Sequence, residues 1–204
     1  MRKLKHQTFL SNNVVSNEKV NSTFTKFRKF NNETQNVAKK WKKGTILIAG
    51  DSIISGLNEK KLSNSKHAVK VRCFPGATTT DMYNYLKPLL LKCPSSIILH
   101  VGTNDAINAS SSVIVDRLLI LKSFILDHLP ECKVYISSPT PRFDEAKASY
   151  TIVKTNELLS TLDIDKVVNS NIEKSNLGSK GLHLNNYGTK KLALNFIKTI
   201  RKMA

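Results

Sequence analysis

Residues 44–57, GTILIAGDSIISGL, join a continuous apolar run to a polar turn. Residues 45–49 are short, rich in β-branched side chains and free of polar alternation, which is typical of a central strand covered on both faces. Gly50-Asp51-Ser52 breaks the run, and a helix-compatible pattern resumes at Ile53. Taken alone, the turn favours a capping role for Asp51 or Ser52. It also predicts a serine at the carboxyl end of a first strand, where open α/β sheets bind ligands.

Four further segments have the composition of strands, and they are residues 68–74, 96–101, 133–138 and 165–169. Helical patterns follow them: one capped by Thr79 or Thr80, one over residues 110–129, one over 144–162, and a last one capped by Asn185 or Asn186. Strands that alternate with helices indicate right-handed crossovers and a parallel sheet. The sequence therefore predicts a three-layer, flavodoxin-like α/β fold, with five strands in the order 2-1-3-4-5 and helices on both faces.

The first segment, residues 1–43, differs from the rest of the 204-residue chain. It holds 11 Lys or Arg against 2 Asp or Glu, a net charge of +9 within a total of +17, and it is rich in asparagine. We interpret it as a basic, disordered N-terminal arm, ahead of one domain over residues 44–204. Such an arm predicts weak, non-specific attraction to nucleic acid phosphates, while a solubilising tail is a somewhat stronger alternative.

The cysteines, the possible metal ligands and the apolar runs limit the classes of protein to which the chain can belong. Cys73, Cys93 and Cys132 are odd in number and lack metal-ligand spacing, which favours reduced thiols in an intracellular protein, cytoplasmic or nuclear. No cluster of His, Cys and Asp predicts a metal, and no cofactor is expected. No apolar run is long enough to span a bilayer, and the basic N-terminus is not a secretory signal. The oligomeric state is left open by these patterns.

In the predicted topology, the loops after strands 1, 2 and 3 and before the last helix converge on one rim. They carry Gly50-Asp51-Ser52, then Gly76, then Gly102-Thr103-Asn104-Asp105, and finally His183. In this order and on these elements, the four blocks resemble the SGNH (GDSL-like) hydrolase family from Thr45 to the C-terminus. The local sequences PGATTTDM and LHVGTND, which contain two of these blocks, are also similar to the SGNH domains of LINE-type retrotransposon proteins and related host genes.

The resemblance implies roles for these residues. Ser52 would be the nucleophile and His183 its base, since a serine hydroxyl attacks only when a base takes its proton. The backbone N–H groups of Ser52 and Gly76 and the side chain of Asn104 would form the oxyanion hole. Asp51, Gly102 and Asp105 would support these loops. Residue 54 is Ile, so the serine does not sit in the G-x-S-x-G turn of α/β-hydrolases.

One position departs from the family pattern. The family aspartate three residues before the histidine is Lys180 here, and a lysine cannot accept a hydrogen bond from the imidazole. We expect Lys180 to point to solvent and a backbone carbonyl to orient His183, which leaves a Ser-His dyad. The nearby carboxylates Asp163, Asp165 and Glu173 are candidate substitutes that the sequence does not distinguish.

Two other residues have simpler interpretations. His100 lies in a buried strand and is predicted to be a packed histidine rather than a second base. Arg142 is either a substrate contact or an ordinary surface arginine. The sequence as a whole predicts a serine esterase acting on small acyl (acetyl-type) esters. The alternative is a degenerate hydrolase fold that serves as a binding module in a nucleic-acid-associated, retroelement-derived protein, which Lys180 and the net charge favour.

Overall fold

A computed structural model describes residues 40–203. Its centre is a parallel sheet of five strands: β1 (Ile46–Gly50), β2 (Val69–Cys73), β3 (Ser96–His100), β4 (Lys133–Ser137) and β5 (Lys166–Val167). The spatial order is β2-β1-β3-β4-β5, which confirms the predicted order and the predicted edge position of the second strand. β1 and β3 are buried along their whole length, as their continuous apolar sequences require.

Between residues 40 and 203, five α-helices accompany the sheet: α1 (Glu59–Leu62), α2 (Thr79–Leu90), α3 (Ser111–His128), α4 (Ala146–Thr161) and α5 (Asn186–Ile200). Helices α2, α3 and α4 pack on the face that carries Leu47 and Ala49 of β1. Helices α1 and α5 pack on the opposite face, which carries Ile46 and Ile48. Side chains alternate between faces along a strand, so one short apolar strand supplies two hydrophobic cores. The predicted three-layer α/β architecture is confirmed.

The structure corrects several predicted element boundaries. The pattern that resumes at Ile53 gives only one 3₁₀ turn, over Ser52–Ile54, and the next helix, which begins at Glu59, was not predicted from the sequence. Between them, Gly56 lies against Thr189 of α5, where an added Cβ would be 3.0 Å from the threonine Cγ2. The Asn58 side chain starts α1 by accepting a hydrogen bond from the Lys61 N–H.

The N-cap of α2 is Thr78. The prediction of Thr79 or Thr80 was therefore wrong by one or two residues. The Thr78 hydroxyl accepts from the Asp81 N–H while the Asp81 carboxylate accepts from the Thr78 N–H, so that a capping box fixes the start. Helix α5 is capped by Asn185, one of the two predicted residues. Within residues 40–203, no helix combines the length and the apolarity that crossing a membrane requires.

The predicted arm, residues 1–43, falls outside the described residues except for its last four. Of these, Trp41 packs against the core on the α2–α4 face. Its N–H donates to the Lys92 carbonyl at 2.9 Å, and the Arg72 guanidinium lies over its ring. Trp41 is therefore part of the packed domain.

Candidate active site

Ser52 and His183 lie side by side at the carboxyl edge of the sheet, although they are 131 residues apart in sequence. The distance between Ser52 Oγ and His183 Nε2 is 3.1 Å, within hydrogen-bond range. Ser52 is half-buried in the 3₁₀ turn that follows β1, and His183 is exposed in the loop before α5. The structure thus brings together the two residues that the sequence proposed as nucleophile and base.

Gly50 determines how closely the serine turn approaches β3. A Cβ at this position would lie 2.0 Å from the His100 carbonyl oxygen, so no other residue fits without displacing a strand. The N–H of the next residue, Asp51, donates to the same carbonyl at 3.2 Å. A glycine at the end of β1 therefore lets the chain leave the sheet directly beside β3, which carries the Asn104 loop.

Asp51 lies beneath Ser52 and is fully buried. Its Oδ1 accepts a hydrogen bond from the Ile53 N–H at 3.0 Å, which holds the turn as predicted, while Oδ2 has no partner among the described residues. Burial raises the pKa of this carboxyl to about 7, and the nearby charge of Asp105 adds to the effect. The Ile53 N–H and the guanidinium of Arg142 act in the opposite direction.

Two backbone N–H groups at this edge have no acceptor among the described residues. They belong to Ser52, the first residue of the 3₁₀ turn, and to Gly76, in the loop after β2. Gly76 has a φ of +78°, a conformation that strongly favours glycine. Apart from its two chain neighbours, no described residue has a heavy atom within 4 Å of where its Cβ would be. The space beside Gly76 is therefore open to a ligand.

The loop after β3 brings Asn104 to the Gly76 loop. The Asn104 Nδ2 donates to the Ala77 carbonyl at 2.9 Å, which accounts for one of its two amide hydrogens. The preceding Gly102 is buried, and Asp105 binds the start of α2 by accepting from the Thr79 N–H at 2.9 Å and the Thr79 hydroxyl at 2.5 Å. Asp105 thus anchors the loop, and no sequence pattern indicates Thr79 as its partner.

The loop that carries His183 is shaped by backbone hydrogen bonds. The Gly181 N–H donates to Gly178 O at 2.9 Å, the Gly178 N–H donates to His183 O at 2.7 Å, and the Phe143 N–H donates to Gly181 O at 2.7 Å. Lys180 lies in the turn and is exposed, as expected. These bonds fix the main chain on both sides of the histidine.

The second imidazole nitrogen of His183, Nδ1, has no hydrogen-bond partner among the described residues. The expected backbone carbonyl is absent there, and none of Asp163, Asp165 and Glu173 is bonded to the ring. The geometry therefore presents a serine-histidine pair, with a ring held by Ser52 on one side only.

The structure also tests the interpretations of His100 and Arg142. His100 is fully buried, its Nδ1 lies 2.8 Å from Ser137 Oγ, and burial lowers its pKa to about 4. It is a packed, neutral histidine, as predicted. Arg142 is neither a surface residue nor free for a substrate, because it is only 2 % exposed. Its guanidinium donates twice to Asp144, at 2.8 and 2.6 Å, and once to Thr103 O at 2.9 Å.

That buried arginine is a structural part of the site that sequence reasoning missed. Because it connects the β4–α4 loop to the backbone of Thr103, it helps to fix the loop that carries Asn104. The short spacing of Arg142 and Asp144 is a weak sequence indication of such a pair. No group of three or more His, Cys, Asp or Glu residues within 40–203 is arranged to hold a metal ion.

Solved structures with the same fold are lipases and esterases. A lipase/acylhydrolase from Enterococcus faecalis is 19 % identical and matches 77 % of this chain and 95 % of its own, with a TM-score of 0.61. A GDSL-like lipase from Bacteroides thetaiotaomicron is 13 % identical, and the match covers 89 % of this chain and 100 % of the lipase, with a TM-score of 0.65. An acetyl-xylooligosaccharide esterase from Geobacillus is 14 % identical. The match covers 80 % of this chain and 96 % of the esterase, with a TM-score of 0.62.

No protein-family model and no curated protein matches the chain. The structural matches establish the class of fold, which is that of SGNH (GDSL-like) hydrolases. At these sequence identities the likeness concerns the fold alone, so function has to be argued from the site of this chain.

Proposed function

We propose that this domain is a serine esterase that hydrolyses small acyl esters, with Ser52 as nucleophile and His183 as general base. The observation that carries the proposal is the distance of 3.1 Å between Ser52 Oγ and His183 Nε2. A nucleophile and a base within hydrogen-bond reach at an accessible rim are the minimum that acyl transfer by serine requires.

In the proposed reaction, His183 Nε2 takes the proton as Ser52 Oγ attacks the ester carbonyl. The imidazolium then gives this proton to the departing alcohol, and the acyl group stays on Ser52. Water, activated by the same nitrogen, attacks the acyl-serine and releases the acid. Both half-reactions use one base in alternating roles.

The proposed oxyanion hole consists of the Ser52 N–H, the Gly76 N–H and the Asn104 side chain. The first two donors are unpaired, and Asn104 Nδ2 uses one hydrogen on Ala77 O and keeps one. Donors that are fixed before the reaction stabilise a developing negative charge without reorganisation. Gly102 and Asp105 support this arrangement through the loop that carries Asn104.

The preference for small, acetyl-type acyl groups is supported by one structural neighbour, which is described as an acetyl-xylooligosaccharide esterase. The alcohol part of the substrate is not specified by this comparison. The proposal needs no cofactor, because the nucleophile, the base and the oxyanion donors are all groups of the chain itself.

Turnover of a short-chain aryl ester by the purified protein tests the proposal. Ser52→Ala should abolish turnover, while Ser55→Ala, an exposed serine on the same turn, should leave it unchanged. Equal turnover by the wild type and by Ser52→Ala would contradict the assignment.

The alternative from the sequence, a degenerate fold in a retroelement-derived binding module, depends on Lys180 and on the net charge. None of the structures named above is described as a retrotransposon protein. A triad that lacks one member can keep considerable activity, so Lys180 does not by itself favour a degenerate enzyme. The alternative would gain support only if a well-folded protein showed no activity attributable to Ser52.

A further inference from the structure

The two helical layers differ in charge. Helices α2, α3 and α4, over one face of the sheet, carry five Lys or Arg and four Asp or Glu. Helices α1 and α5, over the other face, carry five Lys or Arg and only one acid, Glu59. Among the helices, the excess of basic over acidic residues therefore lies on one side of the sheet.

Helix α5 and the residues that follow it carry most of this charge. Residues 186–203 contain five Lys or Arg and no Asp or Glu. Four of these cations, Lys190, Lys198, Arg201 and Lys202, are exposed and form no ion pair within residues 40–203. On the opposite layer, by contrast, Arg117 and Lys154 are paired with acids. Nothing within the described domain neutralises the cations of α5.

The α1 segment continues the same surface. An added Cβ at Gly56 would contact Thr189 near the start of α5, and His67 Nε2 lies 2.9 Å from Met203 O beyond its end. Lys60, Lys61 and Lys66 lie between these two contacts in sequence and are exposed. We call the seven cations the basic face: Lys60, Lys61, Lys66, Lys190, Lys198, Arg201 and Lys202.

The single acid of this layer does not offset the basic face. Glu59 accepts hydrogen bonds from the Val71 N–H at 2.9 Å, from Lys70 at 3.1 Å and from Arg72 at 2.9 Å. Its charge is thus shared with the basic side chains of β2. The seven cations of the basic face have no ion-pair partner within residues 40–203, so this surface attracts a polyanion.

The exposed side of α5 is regular. Five of its residues are spaced three or four apart and form one stripe about 21 Å long. They are Tyr187, Lys190, Leu194, Lys198 and Arg201. Tyr187 is 77 % exposed and Leu194 is 53 % exposed. An unpaired cation thus recurs along the helix beside an accessible aromatic ring.

We propose that the basic face binds the phosphate backbone of single-stranded nucleic acid, with Tyr187 as a stacking surface for a base. Regularly spaced cations follow a phosphodiester chain without reading sequence, and an exposed aromatic ring adds stacking. An anionic membrane is less suitable, because Tyr187 and Leu194 lie two turns apart among lysines and form no continuous apolar band for insertion. The proposal concerns residues of the domain, and it does not depend on residues 1–43 or on the proposed esterase function.

The test measures binding of a fluorescein-labelled oligouridylate to the full chain over a range of salt concentrations. The triple variant Lys190→Gln, Lys198→Gln, Arg201→Gln should lower the affinity about tenfold or more at low salt. It should also reduce the slope of log K against log salt by about 2, as expected when three phosphate contacts are lost.

A matched triple variant removes the same charge from elsewhere. Lys122→Gln, Lys133→Gln, Lys147→Gln changes three lysines that have no ion pair within residues 40–203 and that lie outside α1 and α5. We expect this variant to change affinity less than about twofold, with the same salt slope as the wild type. Equal losses in the two triple variants would show a response to net charge alone and would overturn the proposal.

Stacking is tested separately at high salt, where the phosphate contribution is small. Tyr187→Ala should weaken binding about fivefold or more, whereas Tyr150→Ala, 65 % exposed on α4, should have no effect. Equal effects of these two changes would overturn the role of Tyr187. Binding to vesicles that contain phosphatidylserine is the last comparison. If the Lys190, Lys198 and Arg201 triple variant loses vesicle binding but keeps oligouridylate binding, the basic face binds an anionic membrane and the nucleic acid proposal is overturned. Thermal unfolding of every variant shows that it is folded.

Discussion

The exposed pair Ser52 and His183 depends on a buried neighbour, Asp51. One carboxylate oxygen of Asp51 holds the Ile53 N–H and the other has no hydrogen-bond partner in the described domain. Burial makes the charged form unfavourable, so the pKa of Asp51 rises from 3.8 to about 7. Near neutral pH, the residue next to the proposed nucleophile therefore changes its charge.

This raised pKa predicts a pH dependence of stability. Between about pH 4 and pH 7 the native state keeps the Asp51 proton and the unfolded state loses it, so the free energy of unfolding falls as pH rises. The shift corresponds to about 4 kcal/mol over this interval. Asp51→Asn keeps the acceptor for Ile53 and does not titrate, so its stability relative to the wild type should increase over the same interval.

Urea unfolding at several pH values measures this difference. Asp116→Asn, at an exposed position on α3, is the control for the loss of a carboxylate elsewhere in the domain. If the difference between Asp51→Asn and the wild type does not vary with pH, Asp51 is not the group that titrates.

Lys180 predicts a change in the reaction rate. Lys180→Asp would place a hydrogen-bond acceptor near His183 and remove a positive charge, and both changes favour the imidazolium that forms as Ser52 attacks. The rate of ester cleavage should rise, and the acid limb of the pH–rate profile should move to higher pH. Steady-state kinetics over a range of pH values measures both effects.

Two comparisons separate the causes. Lys180→Asn removes the charge without supplying a carboxylate, so it should give only part of the gain. In the Ser52→Ala background the gain should vanish, because both residues act in one catalytic unit. An unchanged rate and pH profile in Lys180→Asp would mean that His183 is already oriented or is not the base.

At the scale of elements, the proposed oxyanion hole depends on loops after three different strands. The β3 loop is fixed by Asp105 at Thr79 and by Arg142 at Thr103 O, and its Asn104 contacts the Gly76 loop through Ala77 O. Asn104→Ala should therefore lower kcat by a factor on the order of 10² to 10³, the usual loss for one oxyanion donor.

Asn108→Ala is the matched control, since Asn108 is an exposed asparagine just beyond the same loop. It should leave kcat and the melting temperature unchanged. A fall in kcat without a large loss of stability in Asn104→Ala is the expected pattern, and unchanged turnover would show that Asn104 is only a loop residue.

The same elements show what the sequence could and could not predict. The strand order and the meeting of Ser52, Gly76, Asn104 and His183 were predictable, because continuous apolar strands require a covered parallel sheet whose carboxyl ends share one edge. The helical pattern over residues 110–129 groups Val113 with the apolar Ile114 and Leu118, yet Val113 is exposed near the start of α3 while the other two are buried. Periodicity alone does not show which apolar residues at a helix end are covered.

Long-range polar contacts were also beyond the sequence. Arg142 is buried because Asp144 neutralises its guanidinium and, together with the Thr103 carbonyl, accepts three of its N–H groups, whereas residue type alone favours an exposed position. In the same way, the absence of a partner at His183 Nδ1 depends on where three separate carboxylates come to lie. Tertiary structure decides both cases.

At the scale of the whole molecule, the positive charge is divided between residues 1–43 and the domain. A chain that begins at Trp41 keeps the packing of this residue against Lys92 and the core. It should fold, lose most of its affinity for single-stranded nucleic acid at low salt, and keep a weaker binding that depends on α5. Fluorescence anisotropy measures this, and equal affinity of the two chains would leave the arm without a role in binding.

Labelling with a fluorophosphonate measures whether His183 activates Ser52, because this reagent does not depend on the acyl group of the substrate. An activated serine hydroxyl attacks phosphorus and retains the label, while an ordinary exposed serine does not. Intact-protein mass spectrometry should show one adduct on the wild type and on Ser55→Ala, much slower labelling of His183→Ala, and none on Ser52→Ala. An unlabelled wild type, or labelling that persists in Ser52→Ala, would contradict the account.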